Sequence, residues 1–348
     1  MTPLERWQAV LQGEKPDRLP MDYWGTTEAT NKLVEHLGCN DEWAACETLH
    51  IDRMVYAHVP GWGEPDGEGQ DPHWGYRWAK VDYASGTYLE CVEHPLEELN
   101  TVAEVEAAYT WPNLDQLDYT AIRKQIQGKE DYPVGGGGSE PFLTYTFLRG
   151  LEQAYRDLLV NRDLADYCLQ KIHEIHYEHT CRIYDALPGR VLASYVAEDF
   201  GSQENLLFSP KVIREMFLPR MRRMVELVHS AGAYVFTHSD GAIRKIIPDL
   251  IDMGMDVLNP VQWRCTGMER EGLKRDFGDK VVFHGGMDNQ QTLAFGTVND
   301  VIQEVQDNIR ILGAGGGYIL APCHNVQAIS PPENVVAMYR AGYKYGQN

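Results

Sequence analysis

Two short segments carry the residues whose types and spacing could do chemistry. Thr237-His238-Ser239-Asp240-Gly241 closes an apolar run that begins at Ala233, and Ala321-Pro322-Cys323-His324-Asn325 closes one that begins at Gly317. On an extended strand, residues two apart point to the same face. His238 and Asp240 therefore look the same way, and Cys323 shares a face with Ala321 and Asn325. An imidazole, a carboxylate and a thiol at strand ends are what a zinc site with an open coordination position requires. The plainer alternative is a hydrogen-bonded His–Asp pair beside an ordinary buried cysteine.

Such residues need elements to hold them. Apolar runs predict eight strands: Arg18–Trp24, Arg53–His58, Tyr132–Gly137, Val191–Asp199, Tyr234–Asp240, Val257–Gln262, Val281–Asp288 and Gly317–Asn325. Helical periodicity fills the gaps, as in Arg162–Leu187, Pro210–Ala231, Ile243–Met253 and Val298–Leu312. Alternating strands and helices favour a parallel sheet, and eight such units favour an α/β fold of the (β/α)8 TIM-barrel type. The 348 residues suit one such domain, 1–348, with an N-terminal extension. A β-hairpin is expected within the 60–95 region, from Trp74–Tyr83 and Thr87–Val92 around Ala84-Ser85-Gly86, placed to cover the catalytic face.

In a barrel the active site lies at the C-terminal ends of the strands. Those ends supply catalytic candidates Glu198, Asp199, Asp240 and His284, and metal candidates His238, Asp240 and Cys323. Candidates for binding substrate are Asp22, Trp24, His58, Asn259, Gln262, His324 and Asn325. Adjacent Glu198 and Asp199 cannot both face inward on a regular strand, so one is expected in the site and the other in the loop. The inward one could act as a further ligand of the metal candidates or as general acid or base; a helix-capping acid is the alternative. Paired glycines after His284, and the run Gly135–Gly138, would let backbone approach a ligand closely. His173-Glu-Ile-His176-Tyr-Glu-His179 lacks the zinc-protease spacing and sits mid-helix, so it is not expected to bind metal.

The net charge of −20 argues against nucleic acid or an anionic membrane as partner. No apolar run approaches the roughly 20 residues of a membrane span. The opening Met1-Thr-Pro-Leu-Glu-Arg-Trp7 has no apolar signal core. Seven scattered cysteines with no C-x-x-C pair suit a reducing compartment, so a cytoplasmic location is expected.

Several motifs together resemble the uroporphyrinogen decarboxylase (URO-D) superfamily. They are Glu5–Pro20 (ERWQAVLQGEKPDRLP), Trp74–Trp78, His238-Ser-Asp-Gly241, Asp256–Gln262, Phe283-His-Gly-Gly-Met-Asp288, Gly316–Gln327 and Pro331-Pro-Glu-Asn334. The resemblance covers nearly the whole chain and is closer to the methyltransferase-like branch. It implies a single TIM barrel. True uroporphyrinogen decarboxylases carry a Met-Arg-Gln-Ala-Gly-Arg-Tyr signature whose arginines receive substrate carboxylates. Here the corresponding stretch reads Leu19-Pro-Met-Asp-Tyr-Trp-Gly25 and has no arginine.

The methyltransferase branch passes methyl groups to or from corrinoid proteins and binds zinc through a His-x-Cys pair and a later Cys. By that pattern His238 and Cys323 match, and Asp240 stands where the first cysteine would. A carboxylate makes a harder, more Lewis-acidic site, suited to an ether or alcohol oxygen. The resemblance thus implies a methyltransferase taking a methyl group from a small O-methyl donor, with zinc bound. The corrinoid (cobalamin) would be carried by a partner protein, because no Asp-x-His-x-x-Gly stretch of a cobalamin module occurs here. Relatives often form homodimers. The alternatives are a decarboxylase of a small acid or porphyrin-related substrate, and a non-catalytic tetrapyrrole- or corrinoid-binding protein.

Overall fold

The computed structural model describes residues 1–63, 67–83 and 86–347. Seven parallel strands form one curled sheet: β1 (Val55–Tyr56), β5 (Val134–Ser139), β6 (Ala193–Val196), β7 (Tyr234–His238), β8 (Val257–Val261), β9 (Val282–Met287) and β10 (Tyr318–Pro322), adjacent in that order. Helices follow each strand from β5 onward, the longest being Arg162–Ala186, so the architecture is a mixed α/β, TIM-like barrel. Between β1 and β5 lie three antiparallel strands, β2 (Gly69–Gln70), β3 (Arg77–Tyr83) and β4 (Gly86–Glu93). They include the expected hairpin, although residues 84 and 85 of its turn lie outside the described residues.

The expected first strand, Arg18–Trp24, is not a ladder strand. Leu320 N donates to Pro20 O (3.0 Å), Asp22 N donates to Leu320 O (2.9 Å), and Asp52 N donates to Met21 O (2.7 Å). This segment therefore stands between β10 and the β1 edge, where an eighth strand would be. Pro20 has no N–H to give, and the pairing reduces to single bridges at Met21 and Gly25. The Arg53–His58 strand shrinks to two residues for a related reason: the Asp22 carboxylate takes the Met54 N–H at 3.2 Å.

The barrel interior is filled from below. Helix Pro3–Leu11, started by a Thr2/Glu5 capping box, inserts Trp7 against Phe236, Val257, Val282 and Ile319. The long helical segment after β6 changes register at a π-turn over Ile213–Phe217, just before Pro219, whose missing N–H interrupts the regular pattern. The glycines of β5 serve packing rather than ligand approach. A Cβ on Gly138, at φ +119°, would overlap the carbonyl oxygen of Tyr195 on β6. Among the described residues no helix is long and apolar enough to cross a membrane.

Candidate metal and active site

The loops after β6 and β7 hold the site, and two glycines press them together. Gly241 has φ +86°, and a Cβ there would meet the Gly201 backbone carbon at 2.5 Å. That contact lets Asp240 N donate to Asp199 Oδ1 at 2.9 Å. Asp199, His238 and Asp240 each turn a donor atom to one point, all within 4.8 Å of one another. His238 Nε2 is 4.0 Å from Asp199 Oδ1, and Asp240 Oδ1 is buried with no hydrogen-bond partner. A buried carboxylate oxygen without a donor is costly, and a cation at this point would satisfy it. One nitrogen and two carboxylate oxygens suit zinc with an open position.

The electrostatics agree with that geometry. Burial alone would lower the His238 imidazole, but the charges of Asp240, Glu140 and Asp199 raise it overall. Burial pushes the Asp240 carboxyl up, with Asp199 adding to it and His238 opposing. Three carboxylates thus act on one imidazole, a balance that favours an added cation.

Asp199 and Asp240 open on a cavity of about 820 Å³ between the loops after β5 through β10. Its apolar wall comes from Phe142, Leu143 and Tyr155, and its outer rim from Leu151, Phe295 and Ile329. Those three rim side chains are 64%, 71% and 50% exposed, so the mouth exposes apolar side chains beside polar ones such as Gln203 and Gln290. Glu198 is buried on the same wall, and its carboxylate accepts the Phe142 N–H at 3.1 Å. Burial, then the neighbouring Glu140 charge, drives its carboxyl well above the usual range. Arg264 is the one arginine or lysine on the wall among the described residues, and Asp288 holds its Nε at 2.6 Å.

The structure brings some sequence-derived candidates together and separates others. Both Glu198 and Asp199 line the cavity, because β6 ends at Val196 and strict alternation ends with it. Cys323 lines it too, but its thiol donates to Val261 O at 3.2 Å and lies outside the three-residue cluster. Gln262 is on the wall and accepts the Gly241 N–H at 2.6 Å; His324 Nε2 stands 4.0 Å from Asp240 Oδ2. Trp24 packs on His324 and His238, with ring centroids at 5.5 and 6.1 Å.

Asp22, Asn259 and His284 do not line the cavity. They point into the barrel and form a buried chain behind His238. His58 is exposed, its backbone tied to Gln125, and Asn325 is held by Gln327; neither lines the cavity. No described residue of 60–95 does so either; the hairpin instead packs its Trp78 on Phe147 of helix Pro141–Arg149.

Sequence reasoning missed Glu140, Arg264 and Glu304. Glu140 directly follows β5 and precedes a helix-starting proline, a strand-end position that could have been read. Glu304 is buried in helix Val298–Ile311, where it accepts the Asp288 N–H at 2.8 Å; a lone glutamate in an amphipathic helix gives no such signal.

Comparisons with known proteins agree on the fold. The sequence model of the family described as Uroporphyrinogen decarboxylase (URO-D) matches residues 79–345. A uroporphyrinogen decarboxylase of Pseudoalteromonas translucida (strain TAC 125) is 23% identical over 289 residues, covering 75% of this chain and 74% of that protein. The methylcobamide:CoM methyltransferase MtaA of Methanosarcina barkeri is 24% identical over 215 residues, covering 62% of this chain and 59% of that protein. A solved methyltransferase from Methanosarcina mazei superposes with a TM-score of 0.68 at 18% identity, covering 99% of both chains.

Proposed function

The chain belongs to the uroporphyrinogen decarboxylase family, and from that membership we propose that it is a methyltransferase acting with a corrinoid carried by a partner protein. The methyl donor is a small O-methyl compound. The observation that carries this reading is the Asp199–His238–Asp240 cluster, with its unpartnered Asp240 Oδ1, whose two carboxylates line the cavity. Zinc bound by those three residues would supply Lewis acidity toward the donor oxygen.

The chain's own residues divide the remaining work. Phe142, Leu143 and Tyr155 exclude water and hold the methyl-bearing end. In the transfer, the methyl carbon–oxygen bond breaks with its electron pair left on oxygen. A reduced corrinoid held by the partner would accept the methyl carbon, supplying from its cobalt(I) the electron pair for the new bond. Glu198, buried on the cavity wall, gives the departing oxygen its proton. The apolar rim of Leu151, Phe295 and Ile329 offers the partner a surface to dock on.

Two observations favour this over the alternatives suggested by the relatives. The MtaA name describes methyl transfer between methylcobamide and CoM for that protein; transfer to a thiol acceptor would suit a softer, thiolate-rich site. Here the Cys323 thiol is turned to Val261 O and the cluster is oxygen-rich. Decarboxylation of a polycarboxylate needs cations, and Arg264 is already paired with Asp288.

The test is to mix the zinc-loaded protein with a reduced corrinoid carrier and methanol or a methoxy-arene, and follow cobalt methylation by absorbance. Methylation dependent on the protein supports the reading. No transfer from any O-methyl donor, with zinc retained, rejects it.

A further inference from the structure

Four side chains run in one line across the barrel interior. Asp22 Oδ2 is 3.1 Å from His284 Nε2, His284 Nδ1 is 2.6 Å from Asn259 Nδ2, and Asn259 Oδ1 is 2.6 Å from His238 Nδ1. Asp22, His284 and Asn259 are 5%, 1% and 0% exposed, so water does not compete for these groups. The His284 ring is clamped between Phe236 and Trp7, at centroid distances of 4.9 and 6.0 Å.

The order of protons along the line follows from its anchor. The Asp22 carboxylate can only accept, and it already accepts the Met54 N–H. His284 Nε2 must therefore donate. With a single ring proton, His284 Nδ1 is bare and must accept, which turns the Asn259 amide NH2 toward it. The Asn259 oxygen is then left facing His238 and takes the proton on Nδ1. In the neutral ring, His238 Nε2 then keeps its lone pair, on the side where Asp199 and Asp240 lie.

We infer that Asp22, His284 and Asn259 are positioning residues that set the tautomer of His238, so that Nε2 is presented bare to the metal point. Asn259 alone cannot do this. A side-chain amide turned by 180° has nearly the same shape but swaps its donor and acceptor. His284, oriented by Asp22, removes that ambiguity. The geometry stands on the hydrogen bonds; only its consequence for metal binding rests on the proposed function. Partners of this kind tune metal affinity by roughly 10–100-fold.

The experiment reads the tautomer directly, from ¹⁵N spectra of the metal-free chain with labelled histidine in alkaline buffer. His238 is assigned by its absence in His238→Gln. The wild type is expected to carry the His238 proton on Nδ1. His284→Gln can still accept from Asn259 and donate to Asp22, so it should keep that state. His284→Leu cannot, and the His238 proton should move to Nε2 in a large share of molecules.

Zinc affinity, measured by chelator competition, should fall roughly 10–100-fold in His284→Leu and stay near the wild-type value in His284→Gln. An unchanged Nδ1–H tautomer in folded His284→Leu overturns the inference. So does a wild-type spectrum with the proton on Nε2, which decides the matter even if the leucine variant does not fold. A tautomer switch in a protein that binds no zinc upholds the relay and removes the metal reading instead.

Discussion

Asp199 accepts the backbone N–H of Asp240 at 2.9 Å, although 41 positions separate them, and this hydrogen bond assembles the metal point. It exists because Gly201 and Gly241 allow the two loops to touch. Replacing either carboxylate changes the ligands; replacing either glycine changes the distance between them.

Gly241→Ala should therefore act as a site mutation without touching a ligand. The left-handed φ of +86° costs a non-glycine residue about 1–2 kcal/mol, and the 2.5 Å overlap with Gly201 adds to it. Urea denaturation should show a loss of at least about 2 kcal/mol, and zinc affinity should fall with it. Unchanged stability and affinity would mean that the loops separate freely.

Asp52 is the buried anchor of the N-terminal segment that carries Asp22. It pairs with Arg18 at 2.7 Å and Arg6 at 2.9 Å and accepts the Met21 N–H at 3.1 Å. Asp52→Ala leaves the guanidinium groups of Arg18 and Arg6 without their shared buried partner and should cost about 3–5 kcal/mol. Chemical denaturation measures this, and a loss below about 1 kcal/mol would show that the network behaves as a surface ion pair.

Most of the barrel is legible in the sequence because polar residues interrupt apolar runs at the same end of each strand. Val257–Gln262 and Gly317–Asn325 read as strands for that reason, and β8 and β10 lie within them. The membership of the metal cluster is only half legible. His238 and Asp240 share a strand end, and Glu198 or Asp199 reads from sequence as a further ligand; that it is Asp199 follows from a glycine–glycine approach between loops, which leaves no local pattern. Asp22, Asn259 and His284 read from sequence as cavity-facing residues. Strand-end position does not tell whether a side chain lies above the barrel or within it; their burial places them within.

The histidine stripe of helix Arg162–Ala186 predicts acid sensitivity. Burial, then Arg223 and Arg220, lowers His173 to about 4 against the weaker opposing charge of Glu174. Burial, then His179 and His173, lowers His176 to about 3, and burial, then Arg182, lowers His179 to about 4. Unfolded, each takes a proton near pH 6.5. Between that pH and the folded values the unfolded chain binds more protons, so stability is full above 6.5 and falls as the pH drops. Each histidine contributes a slope of up to about 1.4 kcal/mol per pH unit. Thermal melts from pH 7.5 to 4.5 should show the decline, shallower in His176→Leu; parallel curves would contradict it.

Phe295, at the rim and 71% exposed, separates partner docking from chemistry. Phe295→Asp should raise KM for the corrinoid carrier protein about tenfold, the scale expected when a charge replaces one apolar side chain at an interface. Its turnover with free cobalamin should stay within about twofold. Equal losses with both acceptors would place Phe295 in the reaction itself.

The most direct test of the central claim is the metal content of the chain purified without chelator, beside Asp240→Ala and Cys323→Ala. The arrangement of Asp199, His238 and Asp240 predicts about one zinc per chain in the wild type, its loss in Asp240→Ala, and its retention in Cys323→Ala. Metal absent from the wild type, or kept in Asp240→Ala, would contradict the account.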